Sequence, residues 1–199
     1  MYSVTRSNDT RTALIETTKA LLWERGYAAT SPRAILERAH VGQGSMYHHF
    51  SGKEELAVAA FERGAAGVLQ RARDVLATDG TPLARISNYL MLQREILRGC
   101  PVGRMAGDAD VLASAELAAI LTAAFGQLRE LIVSVLQEAV DAEELAHDAD
   151  PRDLADTVLA VVQGGYVLAR AAGDVAPFER AVRGAVSLLE VHSADGAAR

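Results

Sequence analysis

Apolar residues recur every three or four positions along nearly the whole chain. Over residues 10–25, for example, Leu14 and Leu21 fall on one face of a helix that Gly26 would end. No stretch alternates apolar and polar residues with the Val, Ile and Thr enrichment of a half-buried strand. The pattern therefore predicts an all-α fold.

Prolines and capping residues divide this pattern into elements. Ser31-Pro32, Thr81-Pro82 and Asp150-Pro151 each place a capping side chain before a proline at the first helical position. Together these signals predict about nine helical segments: residues 10–25, 32–39, 43–49, 53 to before 79, 82–98, a broken glycine-containing stretch 99–110, 115–144, 151–172 and 177–191.

The helix lengths predict two parts. Three short helices occupy the first fifty residues, whereas the later ones are long and rich in Ala, Leu and Val. We therefore expect an N-terminal three-helix head over residues 1–51 and a larger C-terminal helical bundle over residues 52–199.

Composition narrows the class of protein. The 199 residues contain one cysteine, Cys100, which excludes an internal disulfide and argues against a secreted, disulfide-stapled protein. A lone cysteine of this kind is expected to pack as a small hydrophobe rather than act as a redox sensor. No uncharged run reaches the roughly 18 residues of a membrane span. We expect a cytoplasmic protein that does not insert into a membrane.

Charge is distributed unevenly. The chain carries −6 overall, yet residues 1–53 hold seven basic and four acidic residues, which gives them +3 and leaves −9 elsewhere. A basic head on an acidic body suggests a localised contact with a polyanion. Charge alone does not distinguish this interpretation from a chance imbalance.

Residues 31–50 predict a helix-turn-helix. A short helix with Ile35 on its apolar face is followed by a turn in which Gly42 is free to take a positive φ. A second helix then buries Met46 and Phe50. Its outward positions carry short donors and acceptors, a glycine and a phenol, the surface that base edges in a major groove require: Gln43, Gly44, Ser45, Tyr47 and His48.

The stretch from Thr10 to about Glu62 resembles the DNA-binding head of TetR/AcrR-type transcriptional regulators. The resemblance is carried in order by four groups of residues: Glu24 to Tyr27, Ala29 to Ser31, Gly44-x-x-Tyr47-His48-His49-Phe50, and Lys53 to Leu56. The body is similar to the LmrA-type subset of this family, through residues 98–103, 164–166 and 168–170.

The resemblance implies roles for individual residues. Thr30, Arg33 and Lys53 would contact phosphates, Gln43 and Ser45 would face bases, and Tyr47 and His48 would contact phosphate or base edges, with Gly44 allowing close approach. Family members commonly carry serine-lysine where this chain has Gly42-Gln43, so one phosphate-seeking charge is missing. Two heads of a homodimer would read a palindromic operator in double-stranded DNA, and a small apolar effector would release it.

The body offers two further sets of candidates, each with plain core packing as the alternative. The effector pocket would be lined by Tyr89, Gln93, Ile96, Met105, Phe125, Leu128 and Tyr166. The last two helices carry wide apolar faces that favour a dimer seam: Val158, Val161, Val162, Gly165, Leu168, Phe178, Val182, Val186 and Leu189. Gly164-Gly165 fits either close helix approach or room for a ligand.

No nucleophile elbow, phosphate loop or metal-protease signature occurs in the sequence. His48 and His49 point about 100° apart on a helix, which disfavours a shared metal. We therefore expect no catalytic residues, no metal and no cofactor. A helical enzyme or carrier, and a TetR-like protein that has lost operator binding, remain the alternatives.

Overall fold

A computed structural model describes the backbone of residues 2–191 and the side chains of residues 9–190. The all-α prediction is confirmed. Ten helices lie in the described part of the chain: α1 Tyr2–Arg25, α2 Pro32–Ala39, α3 Gln43–His49, α4 Lys53–Leu76, α5 Pro82–Met91, α6 Pro101–Met105, α7 Ala109–Ala113, α8 Ala115–Asp141, α9 Pro151–Ala172 and α10 Ala176–Val191.

Three helices begin at the predicted prolines, each with its cap formed. The Ser31 Oγ accepts a hydrogen bond from the Ala34 amide at 3.2 Å, and the Thr81 Oγ1 accepts one from the Ala84 amide at 3.3 Å. The Asp150 carboxylate accepts one from the Arg152 amide at 2.8 Å. Each bond satisfies an amide that the first helical turn leaves without an intrahelical partner.

The boundaries differ most from the predicted ones at three places. Helix α1 begins at Tyr2 rather than near residue 10, and the predicted broken stretch is replaced by the two short helices α6 and α7, the second of which extends to Ala113. Helix α5 ends at Met91 rather than at residue 98. The Arg94 guanidinium donates to the carbonyls of Tyr89, Leu90 and Leu92 at 2.6–3.1 Å, so a side chain replaces the hydrogen bonds of a further helical turn.

The chain forms two compact units whose borders differ from the predicted division after residue 51. The first unit runs to Val68 and includes Pro101–Ala124; the second contains Leu69–Cys100 and the chain from Phe125 onward. Two of the three borders fall inside continuous helices, α4 and α8, and the third lies at the start of α6. The assignment of functions to residues 1–51 and 52–199 stays a prediction.

In the first unit, α1, α2 and α3 bury their apolar faces around a common core. Its fully buried side chains include Leu14, Leu21, Ile35, Met46 and Leu56. In the second unit, α10 packs along α9 and also contacts α5. The two units therefore each have an apolar core of their own.

Gly165 explains part of the α9–α10 contact. A Cβ built on Gly165 would lie 2.8 Å from the ring of Phe178, and that ring lies 5.0 Å from the ring of Tyr166. Gly164 has nothing within 4 Å of its Cβ position. The two adjacent glycines thus differ: Gly165 permits close packing inside the chain, and Gly164 lies on the exposed side.

Helix α8 is the one described helix long and apolar enough to cross a membrane by length and composition. Its buried positions, from Leu117 to Ala139, recur every three or four residues, as in a core helix. Its other face carries Arg129, 2.5 Å from Asp156, and Glu130, which pairs with Arg152 at 3.0 Å. Both partners, Asp156 and Arg152, belong to α9, so the polar face of α8 makes ion pairs with another helix of the second unit.

Candidate nucleic-acid interface

The helix-turn-helix has the predicted order, but its left-handed residue is not the predicted one. His40, at φ 54°, ends α2, and its amide and that of Val41 donate to carbonyls of the last turn. Gly42 has φ −72° and serves as the N-cap of α3. The prediction of a positive φ at Gly42 is wrong, because the chain reverses two residues earlier.

Helix α3 has one buried side, occupied by Met46 and, at its C-cap, Phe50. Tyr47 is 52% exposed. We call the exposed positions of α3 the recognition face: Gln43, Gly44, Ser45, Tyr47 and His48. These are the positions predicted to meet DNA, and their contacts with bases and phosphates stay a prediction.

Gly44 leaves open space on this face. Nothing in the protein lies within 4 Å of a Cβ built there. Packing within the chain therefore does not require glycine at this position. The lack of a side chain would let the backbone of α3 come closer to a ligand surface.

Arg33 and Thr30, both predicted to contact phosphates, differ in accessibility. Arg33 is exposed, and its Nε donates to Glu37 at 2.7 Å, a contact that raises the pKa of the guanidinium. Thr30 is 1% exposed, and its hydroxyl donates to the Gly26 carbonyl at 2.6 Å. Because that hydroxyl is buried and bonded, we leave Thr30 out of the proposed DNA-contacting set.

Two cations lie over aromatic rings of the head. The Lys53 ammonium is 3.9 Å from the centroid of the Tyr27 ring, and the Arg11 guanidinium is 5.2 Å from that of Phe50. Burial raises the pKa of Tyr27, and the nearby Glu54 carboxylate adds to the rise. Sequence reasoning missed Arg11, because only the fold brings α1 against the end of α3.

The predicted dimer residues are mostly core of a single chain. Val161 and Val186 are half-buried, and Leu168 is 55% exposed. The remaining six are buried within their own unit, and their part in a dimer seam stays a prediction: Val158, Val162, Gly165, Phe178, Val182 and Leu189.

A different apolar face of the same two helices is exposed. Val167 is 67% exposed and Leu188 62%. Neither Gly164 nor Gly184 has an atom within 4 Å of its Cβ position. We call this surface the exposed α9–α10 face and define it by Gly164, Val167, Leu168, Gly184 and Leu188.

The second unit contains a cavity of about 390 Å³ between residues 90–96 and α10. Of the predicted effector residues, Gln93 and Ile96 line it. The other five do not line it: Tyr89, Leu128 and Tyr166 are buried and Phe125 half-buried in this unit, and Met105 is in the core of the first unit.

Two buried phenols lie near the cavity-lining segment. Burial raises the pKa of Tyr89 and of Tyr166, and the positive charge of Arg94 opposes that rise at both. The Arg94 guanidinium lies 5.1 Å from the centroid of the Tyr89 ring.

Cys100 is 7% exposed. No group of three potential metal ligands occurs among the described residues.

Family models match two parts of the chain. Residues 14–60 match a model described as bacterial regulatory proteins, tetR family, and residues 82–185 match one described as tetracyclin repressor-like, C-terminal domain. The second match alone spans more than half of the chain.

Individual relatives extend the similarity over most of the chain. The HTH-type transcriptional repressor NemR of Escherichia coli is 27% identical over 183 residues, 88% of this chain and 91% of NemR. The regulator LmrA of Bacillus subtilis is 25% identical over 85% of this chain and 90% of LmrA. A TetR transcriptional regulator from Chloroflexus aurantiacus has a TM-score of 0.87 at 26% identity, covering 95% of this chain and 98% of its own.

Proposed function

The chain belongs to the TetR family of bacterial regulatory proteins, and from that membership we propose a homodimeric repressor that a small effector releases from a palindromic operator. The predicted family resemblance is confirmed by both family models and by the relatives, LmrA among them. The relatives also confirm the prediction of a DNA-binding transcriptional regulator rather than an enzyme.

The recognition face of α3 carries this proposal. Its exposed positions offer an amide, a hydroxyl, an imidazole and a phenol, while Met46 anchors the helix from its buried side. Glutamine pairs bidentately with adenine, and hydroxyls bond either base edges or phosphates. Gln43 and Ser45 would read bases, and Tyr47, His48, Arg33 and Lys53 would position the head on the backbone.

The exposed α9–α10 face supports the homodimer. Large apolar side chains of Val167, Leu168 and Leu188 share it with two glycines, so a second copy could approach the helix backbones closely. Large apolar side chains left exposed on two packed helices are typical of a protein interface. Two heads held by one seam would read half-sites about one helical turn apart.

The cavity in the second unit supports an effector that is mainly apolar with one polar group. Leu90, Ile96 and Phe178 supply apolar wall, and Gln93 and Arg183 are lining residues with hydrogen-bond donors. An effector that binds the non-DNA conformation more tightly would lower operator occupancy. A regulator acting on the bacterial chromosome would work in the cytoplasm.

The test starts with selection of DNA fragments by the wild-type protein from the source genome. An enriched near-palindrome is expected, with an affinity that falls steeply as salt rises. Failure to enrich any sequence would overturn the proposal in favour of a TetR-like protein that has lost operator binding.

Tyr47→Ala tests the orientation of α3. It should weaken operator binding by about 1–3 kcal/mol, because it deletes one contact at the nucleic-acid surface. Leu112→Ala is the control, since Leu112 is 57% exposed in the same unit but lies on α7. A gel-shift or anisotropy titration compares the three proteins, and equal affinity of Tyr47→Ala and wild type would show that the recognition face points elsewhere.

A further inference from the structure

One carboxylate outside the head makes two hydrogen bonds to the turn between α1 and α2. Asp108 Oδ2 accepts from the Tyr27 amide at 2.7 Å and from the Ala28 amide at 2.9 Å. The three residues belong to one compact unit but are about eighty positions apart in sequence. Hydrogen bonds from amides to a charged acceptor are about twice as strong as neutral ones.

The second oxygen of Asp108 accepts a hydrogen bond from a nearby residue in the sequence. Oδ1 accepts from the Asp110 amide at 3.1 Å, which caps α7. Capping needs one acceptor and is met equally well by serine or asparagine. The contact with Tyr27 and Ala28 needs the additional oxygen and its reach, so the cap alone does not account for a carboxylate at this position.

Gly26 fits the same contact. Its φ is +83°, a conformation that favours glycine, and a Cβ there would lie 2.9 Å from Asp108 Oδ2. The glycine therefore allows the turn to bring its amides onto the carboxylate. Glycine at position 26 thus leaves the room that the Asp108 carboxylate needs beside the turn.

The turn held by Asp108 leads directly into the helix-turn-helix. The Thr30 hydroxyl donates to the Gly26 carbonyl, and Ser31 caps α2. The Lys53 ammonium lies over the Tyr27 ring. A change in this turn would therefore reach the start of α2 and the cation at the start of α4.

We propose that Asp108 is a positioning residue for operator recognition, which fixes the α1–α2 turn and thereby holds α2, α3 and Lys53 in the geometry that meets DNA. The inference rests on the proposed function, since it presumes that the recognition face contacts an operator. Asp108 itself touches no DNA. It strengthens binding because a turn that is already ordered loses less conformational entropy when DNA binds.

Asp108→Ser tests this role, because serine keeps a capping oxygen for α7 and loses the reach to Tyr27 and Ala28. Asp150→Ser is the matched control: Asp150 caps α9 through the amide two residues on, as Asp108 does, and belongs to the other unit. Operator affinity is measured by anisotropy on the duplex selected with wild-type protein, and amide hydrogen exchange is measured at Tyr27 and Ala28.

Asp108→Ser should raise the operator dissociation constant about 10- to 100-fold, because part of the free energy of the two lost charge-assisted bonds must then be supplied when DNA orders the turn. Exchange at the two amides should accelerate in this variant and stay unchanged in Asp150→Ser. Unchanged or tighter operator binding by folded Asp108→Ser, or exchange that rises equally in both variants, would overturn the proposal.

Two outcomes distinguish a failure of the proposed role of Asp108 from a failure of the proposed function. If wild type selects no operator, the proposed function fails, whereas wild type and Asp108→Ser binding one operator equally well overturns only the role of Asp108. Should Asp108→Ser not fold, Asp108→Asn provides the same comparison, because its single amide oxygen cannot serve both the cap and the turn. Operator binding by Asp108→Asn at wild-type strength would then overturn the role.

Discussion

Helical periodicity identifies the exposed residues of α3, but not those of the α9–α10 pair. In α3, the residues predicted to face outward are exposed, and Met46 lies inside. In α9 and α10, six of the nine residues predicted for a dimer seam are buried within one chain. Both predictions rest on helical periodicity.

The difference lies in how many apolar faces a helix has. Helix α3 has seven residues, and Met46 is the buried one among them, so only one orientation buries it. Helix α9 has apolar residues around most of its circumference, with Val158 and Val162 buried and Val167 and Leu168 exposed. Periodicity finds apolar faces, but it does not say which one is covered by the same chain.

The largest expected effect comes from charging the exposed α9–α10 face. Leu168→Glu combined with Leu188→Glu should convert the proposed dimer to folded monomers, because burying a carboxylate at a seam costs at least about 2 kcal/mol. Sedimentation at micromolar concentrations reports the mass, and circular dichroism reports the helix content. Leu112→Glu, at an exposed leucine outside this face, is the control and should leave the mass unchanged.

A double variant that sediments as wild type would show that this face is not the seam. A variant that unfolds would show instead that both leucines support their own unit. Either result would remove the contrast between the covered and exposed faces of α9 and α10.

Substitutions at the neighbouring glycines Gly164 and Gly165 test the same contrast with a smaller expected effect. Gly165→Ala places a Cβ 2.8 Å from the Phe178 ring and should lower the free energy of unfolding by about 1–3 kcal/mol, since the core must shift. Gly164→Ala has open space around its Cβ and gains about 1 kcal/mol of helix propensity within a single chain. Urea denaturation compares the two, and equal destabilisation would contradict the assignment of one glycine to each face.

The smallest expected effect is on stability at alkaline pH. Burial raises the pKa of the Tyr166 phenol above its usual value near 10, so the unfolded chain ionises first. This contribution to stability is fully present below pH 10 and is lost as pH rises above it. The loss through Tyr166 amounts to about 1 kcal/mol by pH 11.

Tyr166→Phe should therefore reduce the fall in unfolding free energy between pH 8 and pH 11. Tyr47→Phe, which removes a phenol that is 52% exposed, is the comparison. Denaturant midpoints at the two pH values report the change. An identical fall in wild type and Tyr166→Phe would place Tyr166 in a more solvated site than the structure gives it.

Much of the candidate interface could be predicted from sequence because its signals are local. The exposure of Gln43, Ser45 and Tyr47 follows from two apolar residues four positions apart, Met46 and Phe50, on a short helix. The burial of Thr30 did not follow, since its hydroxyl bonds a carbonyl in the preceding turn. Arg11 and Asp108 were missed because their contacts join segments distant in the chain.

The sequence by itself determined the all-α class, the family, and the helix starts at Pro32, Pro82 and Pro151, because a cap and a proline act within a few residues. Only the tertiary structure decided that α5 ends at Met91 and that Gly165 rather than Gly164 meets Phe178. It also brought Asp108 onto the α1–α2 turn. Burial and long-range hydrogen bonds depend on which neighbours the fold supplies, and no local pattern encodes those neighbours.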